Sequence, residues 1–120
     1  MANVLVVDDE PANRLLAATL LAHAGHTVWE ASTVAEAIEF LERSPDVALV
    51  DLSLRDRSGA ELIRTIRREC AGTEVVLYTA TRVDGALRDF MEMHGIGFVV
   101  PKPCEPADLV KIVEEAVATR

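Results

Sequence analysis

The sequence has few of the residues that mark a secreted scaffold or a membrane span. Its 120 residues include only two cysteines, Cys70 and Cys104, too few for a disulfide framework and not at metal-ligand spacing. No apolar run approaches the roughly 20 residues of a transmembrane helix. Asp8 and Asp9 interrupt the first apolar stretch too early for a signal peptide. We therefore expect a soluble protein of the reducing cytoplasm, without a membrane partner, whose cysteines are small, partly buried side chains.

Positive charge is also scarce. The formal net charge is −8, the basic residues form no dense run, and only two of them are lysines, Lys102 and Lys111. Three arginines share a predicted helix with two glutamates, which predicts a solvated face: Arg64, Arg67 and Arg68. Because nucleic-acid binding depends on neutralising phosphates, we expect no nucleic-acid partner for this chain alone.

Short apolar runs alternate with amphipathic stretches along the whole chain. Three of the runs are nearly continuous in Val and Leu, which is typical of strands covered on both faces. The predicted strands are 3–8, 27–31, 47–51, 74–79 and 97–100.

The segments between these strands carry helix signals. Pro11 and Pro106 each suit the first turn of a helix, and Gly25 suits a helix end. Thr33 with Glu36 forms a capping-box pattern, and Asp84 is a candidate cap before Gly95. The pattern predicts a (βα)5 α/β fold in one domain, 1–120, with a five-stranded parallel sheet and helices on both sides.

Parallel strands bring their carboxyl ends to one edge of the sheet, where open α/β folds place their sites. Polar side chains occupy these ends: Asp8, Asp9, Glu30, Asp51, Thr79 and Lys102. Two carboxylates about 5 Å apart repel by roughly 3 kcal/mol at an effective dielectric near 20. Three of them need a cation, and carboxylate oxygens without His or Cys suit Mg²⁺.

Each of these residues has an ordinary structural explanation when taken alone. An Asp-Asp pair after a strand is more often a helix cap than a ligand, Thr79 is usually a strand-end hydroxyl, and Lys102 a surface lysine. Their joint placement at successive strand ends favours a site. The histidines lie near helix ends without ligand spacing, so we assign no function to His23, His26 and His94.

The sequence resembles the response-regulator receiver domains of two-component signal transduction, including the chemotaxis regulators. The matching segments are "VLVVDDE", "VALVDLSLRDRSG", "VVLYTA" and "VPKP", which together cover nearly the whole chain. Gly59 matches the glycine after the acceptor loop. The resemblance implies a flavodoxin-like, doubly wound sheet of order 2-1-3-4-5. Alternation alone does not specify that order.

The resemblance also implies a role for each strand-end residue. Asp51 would accept a phosphoryl group from a sensor histidine kinase or a histidine phosphotransfer protein. Thr79 would hydrogen-bond the phosphoryl oxygens, and Lys102 would pair with them. The Lys102–Pro103 bond would be cis. The output would be a changed surface for a downstream protein target, so the chain would be a switch that promotes only its own phosphorylation and dephosphorylation, not an enzyme.

The metal site follows from the same resemblance. Asp9, Asp51 and the backbone carbonyl of Ser53 would bind Mg²⁺ directly, and Asp8 would act mainly through water. These roles agree with the charge count, because a divalent ion and one lysine balance three carboxylates and stabilise charge on a transferring phosphoryl group.

Two positions depart from the family pattern. Arg55 stands where the family often has proline. Val99 stands three residues before Lys102, where the family usually has Tyr or Phe as a rotamer switch. Phe98 is adjacent, but neighbouring strand residues face opposite sides of a sheet. We favour the unshifted alignment, because Gly95 keeps its usual spacing to Lys102.

Three other functions compete with a phosphorylation-dependent single-domain switch. A phosphatase of the haloacid dehalogenase type wants a second Asp two residues after the nucleophile, where this chain has Ser53. A phosphorylation-independent interaction module on the receiver fold generally loses acidic, acceptor or lysine residues that are kept here. A nucleotide-binding flavodoxin-like protein would want a glycine-rich phosphate loop after the first strand, and there is none.

Overall fold

The computed structural model describes residues 1–54, 58–80 and 82–119. Five strands and five α-helices alternate along this part of the chain. The strands are β1 (Asn3–Val7), β2 (Thr27–Ala31), β3 (Val47–Val50), β4 (Glu74–Thr79) and β5 (Phe98–Pro101). The helices are α1 (Pro11–His23), α2 (Val34–Phe40), α3 (Gly59–Glu69), α4 (Gly85–Met93) and α5 (Pro106–Thr119), and a 3₁₀ turn, Leu41–Arg43, follows α2.

The five strands form one parallel sheet in the order β2-β1-β3-β4-β5. This confirms both the (βα)5 fold and the strand order implied by the resemblance. The predicted strands agree with the observed ones to within a residue at each end. The two central ladders join β1 to β3 and β3 to β4, so the ends of β1 and β3 lie side by side.

Side chains alternate between two apolar layers, one on each face of the sheet. One layer packs β-strand residues such as Leu5 and Val50 against α2, α3 and α4. The other packs residues such as Val6 and Leu49 against α1 and α5. Because β1 and β3 are buried on both faces, their sequences are almost continuous runs of apolar residues, mostly Val and Leu. The only polar groups such strands can present lie at their ends.

Side-chain caps begin three of the helices. Thr33 Oγ1 accepts the Glu36 N–H at 3.1 Å, Ser58 Oγ accepts from Glu61, and Asp84 Oδ1 accepts the Leu87 N–H at 2.9 Å. The Thr33 and Asp84 caps were expected from the sequence.

Gly59, the first residue of α3, lies against the end of β3. A Cβ atom there would come within 2.3 Å of the Asp51 carbonyl oxygen and 2.7 Å of the Leu52 Cα. Any larger residue would push α3 away from the strand, so this glycine fixes how closely the helix approaches the loop after Asp51.

The prediction of a solvated arginine face on α3 is wrong for Arg67. Its guanidinium donates to three backbone carbonyls: His94 at 2.7 Å, Thr73 at 3.1 Å and Gly95 at 3.2 Å. These carbonyls end α4 or precede β4, where helix and loop termini leave acceptors without backbone partners. Arg67 therefore ties the end of α3 to the end of α4. Arg64 and Arg68 are exposed, as expected.

Among the described residues, no helix is both long and apolar enough to cross a bilayer. Cys70 and Cys104 are free and partly buried, as expected. His26 accepts the Ala2 N–H on Nδ1 at 3.2 Å, and its Nε2 lies 3.4 Å from Glu114. These contacts hold His26 just before the start of β2.

Candidate functional site

Three carboxylates meet at the carboxyl edge of the sheet. Asp8 and Asp9 follow β1, and Asp51 follows β3, its neighbour in the sheet. One ligand oxygen from each lies within 4.8 Å of the others. The Val7–Val50 register explains the meeting, because the next residue of each strand enters the edge at the same level. The three side chains therefore lie together at this edge, and their roles stay predictions.

Lys102 reaches the same cluster from the end of β5. Its Nζ donates to Asp8 Oδ2 at 2.6 Å and to Asp51 Oδ2 at 3.2 Å. Its backbone N–H donates to the Thr79 carbonyl at 3.0 Å, which fixes the start of the side chain at the end of β4. Since β4 lies between β3 and β5, the long lysine stem is what allows the ammonium to reach Asp51. The Lys102–Pro103 bond is cis, as the resemblance implied.

Burial controls the acid–base character of Asp51, whose side chain is only 10% exposed. Burial raises the pKa of the Asp51 carboxyl above its usual value, and the Ser53 N–H, which donates to Oδ1 at 3.0 Å, and Lys102 only partly oppose this. The carboxylate form is therefore costly in this pocket, and an added cation would favour it.

Negative charge is concentrated in this pocket. The ammonium of Lys102 contacts two of the three carboxylates, Asp8 and Asp51, and Asp8 is fully buried and not screened by water. The donor atoms here are all hard oxygens, with no His or Cys in the metal-ligating group found among the described residues. This donor set fits Mg²⁺, which takes few protein oxygens and keeps waters in its remaining positions.

The remaining predicted residues have different outcomes. Thr79 ends β4 at this edge and is 2% exposed. Ser53 lies in the loop after Asp51, and its carbonyl as a metal ligand stays a prediction. Glu30 was grouped with the strand ends but is outside the metal-ligating group. It pairs instead with Arg14 Nε at 3.4 Å on the β2 side.

Two residues near the site were missed by sequence reasoning. Arg14, on the first turns of α1, donates from Nη1 to the Asp8 carbonyl at 2.9 Å. Tyr78 lies beneath Lys102, whose Nζ is 4.5 Å from the ring centroid. The Arg14 contact has no sequence signal, because its acceptor is a backbone carbonyl. Tyr78 stands inside the apolar run of the predicted strand 74–79, and that pattern gives no sign of a contact with Lys102.

Val99 and Phe98 of β5 face opposite sides of the sheet. Val99 pairs in register with Leu77 and packs in the layer against α2, α3 and α4. Phe98 packs in the opposite layer, against α1 and α5. The unshifted alignment, with Val99 in the place usually held by the switch aromatic, stays a prediction. The other departure, Arg55, lies outside the described residues.

The sequence matches the response regulator receiver domain family over residues 4–114. This chain belongs to the response regulator receiver domain family. Among the solved structures, a CheY-like receiver domain protein from Methanospirillum hungatei JF-1 is similar with a TM-score of 0.90 at 25% identity, covering 99% of this chain and 95% of that one. A LuxR-family response regulator from Aurantimonas sp. SI85-9A1 is similar with a TM-score of 0.88 at 28% identity, covering 100% of this chain and 87% of that one.

Curated relatives show the same relationship at different lengths. Protein Rrf1 of Nitratidesulfovibrio vulgaris (strain Hildenborough) is 31% identical over 98% of this receiver and 84% of its own length. The KDP operon transcriptional regulatory protein KdpE of Escherichia coli (strain K12) is 41% identical over 64% of this receiver. The match spans only 35% of KdpE, and a match to the sensor kinase CckA of Brucella abortus spans 12% of that protein.

Proposed function

We propose that this receiver domain accepts a phosphoryl group on Asp51 from a phosphohistidine of a sensor histidine kinase or a histidine phosphotransfer protein. The observation that carries the proposal is the convergence of three carboxylates and one lysine at the carboxyl edge of the sheet. Asp51 follows the central strand β3 and accepts the Ser53 N–H on Oδ1 and the lysine ammonium on Oδ2.

In the proposed reaction a carboxylate oxygen of Asp51 attacks phosphorus, and the O–P bond forms as the N–P bond of the donor breaks. The electron pair of that bond stays on the leaving imidazole nitrogen. Lys102 shifts from Asp8 and Asp51 toward the phosphoryl oxygens, where its charge stabilises the transferring group. Thr79, at the end of β4, donates its hydroxyl to one of these oxygens.

Mg²⁺ would be held by Asp9, Asp51 and the Ser53 carbonyl, with Asp8 acting through water. When bound, it supplies positive charge to the phosphoryl oxygens. The fit of the oxygen-only donor set supports this assignment. The raised pKa of buried Asp51 supports it too, because a cation beside that carboxyl would favour its ionised, nucleophilic form.

The proposed output is a change in protein contacts rather than a reaction on a separate substrate. We assign residues 1–120 to one receiver domain that acts in the cytoplasm on a downstream protein. Its formal charge of −8 disfavours direct binding to nucleic acid. The second candidate, a phosphorylation-independent module, is disfavoured by the intact group of acidic and lysine side chains.

Incubation with acetyl phosphate and Mg²⁺, followed by intact-mass measurement, tests the proposal. The parent should gain one phosphoryl group, and Asp51→Asn should gain none. The matched control is Asp89→Asn, which removes an exposed carboxylate on α4 and should be phosphorylated like the parent. Phosphoryl uptake by Asp51→Asn would overturn the acceptor assignment, and no uptake by the parent would favour the phosphorylation-independent module.

A further inference from the structure

The side chain of Lys102 rests on the ring of Tyr78. Tyr78 pairs in register with Val100, and Lys102 follows two residues later on the same side of the sheet. This brings Nζ to 4.5 Å from the ring centroid, while the lysine side chain is 13% exposed. An ammonium over an aromatic face at this distance is attracted to the ring, more strongly where water is excluded.

The hydroxyl of Tyr78 does not hold the ring in place. The residue is 3% exposed, and none of the described residues gives its hydroxyl a hydrogen bond. The side chain instead lines a cavity of about 80 Å³ together with Asn13, Cys104 and Pro106. Packing against α1 and α5 therefore fixes the ring, and the ring face is the part that contacts the ammonium.

We propose that Tyr78 is a positioning residue for phosphoryl transfer, and that its ring holds the Lys102 ammonium at the acceptor site. The inference rests on the proposed role of Lys102 in phosphorylation. Lysine carries its ammonium on a flexible stem of four carbons, so a lysine side chain without contacts would spend much of its time in solvent. The two carboxylates hold it before transfer, but it must leave them to reach the phosphoryl oxygens.

An aromatic face suits a cation that has to move. Hydrogen bonds to Asp8 and Asp51 are directional and require fixed donor positions. The attraction to a ring has no single donor–acceptor axis, so the ammonium can swing between partners while it stays over Tyr78. The ring thus restricts the lysine to the site without competing for any of its three N–H donors.

The contact itself is tested by the two lysines of the chain. With ¹³C-labelled lysine, Lys102 and exposed Lys111 give separate ε-methylene signals, and Lys111 is the internal control. The ring current of Tyr78 should move the Lys102 ε-protons upfield of those of Lys111. The displacement should persist in Tyr78→Phe and disappear in Tyr78→Leu. Equal shifts for both lysines in the parent would overturn the contact, independently of any phosphorylation.

The role is tested by the rate of phosphorylation by acetyl phosphate at limiting donor. Tyr78→Leu should be slower by about 3- to 10-fold, the range that a partly desolvated cation–π contact supports. Tyr78→Phe should match the parent. The matched control is Val76→Ala, a truncation of the same strand and the same apolar layer, which should lower stability and leave the rate unchanged.

The outcomes separate this inference from the proposed function. Equal phosphorylation rates in Tyr78→Leu and the parent would overturn the positioning role. A Tyr78→Phe variant as slow as Tyr78→Leu would also overturn it, because the effect would then belong to the hydroxyl. A slow Val76→Ala variant would show that general destabilisation explains the loss. If the parent accepts no phosphoryl group, the proposed function fails, and the lysine signals still report whether the contact exists.

Discussion

Repulsion among the three carboxylates at the sheet edge should destabilise the domain when no metal is bound. Removing one of the three charges should therefore stabilise the metal-free domain. Asp9→Asn tests this directly, because Asp9 is the least buried member of the group and its replacement keeps nearly the same shape. In chelator the variant should melt at a higher temperature than the parent. With Mg²⁺ the difference in melting temperature should become smaller or change sign, because only the parent keeps the full set of proposed ligands.

The expected size follows from the geometry. At the 4.8 Å limit of the group, two unit charges repel by about 3.5 kcal/mol at an effective dielectric of 20. Asp9 is partly exposed, and the charge of Lys102 offsets part of the repulsion, so solvent screening reduces the net gain to about 1 kcal/mol. For a domain of this size that gain corresponds to a rise of roughly 4 °C in the melting temperature.

The assay is thermal unfolding followed by circular dichroism, with chelator and with increasing Mg²⁺. Ligand at a hundred times its Kd stabilises a folded state by about 2.7 kcal/mol, so the parent should show a clear shift. The matched control is Glu39→Gln, which removes one exposed negative charge on α2 and should respond to Mg²⁺ like the parent. Equal Mg²⁺ shifts in Asp9→Asn and the parent would refute the assignment of Asp9 as a ligand.

Three further predictions concern pH and conformational change. Because burial raises the pKa of Asp51, the folded state favours its protonated form, and its contribution to stability falls as pH rises from 3.8 upward. In chelator, the melting temperature of Asp51→Asn should therefore rise relative to that of the parent as the pH increases from 3.8 to neutrality. A difference in melting temperature that does not change with pH would contradict this. Burial, and secondarily the Asp8 charge, raises the pKa of Tyr78 to about 12, so the absorbance of the single tyrosine should show no ionisation near pH 10 while the protein is folded. Stability should then fall above pH 10, whereas a folded-state midpoint near pH 10 would refute the burial argument. Beryllofluoride, as a phosphoryl mimic, should change amide exchange mainly in the first turns of α4, because Arg67 holds the carbonyls of His94 and Gly95 at its other end. Larger changes in β5 than in α4 would instead place the switch on that strand.

The fold could be predicted from the sequence because burial dictates the pattern of each element. Strands covered on both faces must be apolar throughout, and helices against a sheet must carry an apolar stripe, so the alternation specifies (βα)5. The order of the strands is a different matter. Any right-handed α/β crossover satisfies the same apolar pattern, and the order β2-β1-β3-β4-β5 came from the resemblance.

The site was predictable for a related reason. Polar residues cannot lie inside strands buried on both faces, so Asp8, Asp51 and Thr79 mark the strand ends, and parallel strands bring those ends together. Glu30 also lies near the carboxyl end of a strand, but that strand is the edge strand β2, where solvent and Arg14 are available to it. A strand-end position is therefore informative mainly on the central strands.

Contacts to backbone carbonyls and ring faces escaped prediction. Arg67 looks like an exposed helix arginine in sequence, because its acceptors belong to loops that come near only in the folded chain. Tyr78 fits an apolar strand, and its contact with Lys102 depends on the path of the chain after β5. The backbone acceptors of Arg67 are not marked by a residue type, and the strand pattern does not show that Tyr78 lies beneath Lys102.

The central claim is that Asp51 is the phosphoryl acceptor, and the site of the acyl phosphate tests it most directly. The parent is phosphorylated with acetyl phosphate and Mg²⁺, reduced with borohydride, which converts an aspartyl phosphate to homoserine, and mapped by peptide mass spectrometry. Homoserine is expected at position 51 alone. Homoserine at position 8 or 9, or conversion at no position in a chain that has gained phosphate, would contradict it.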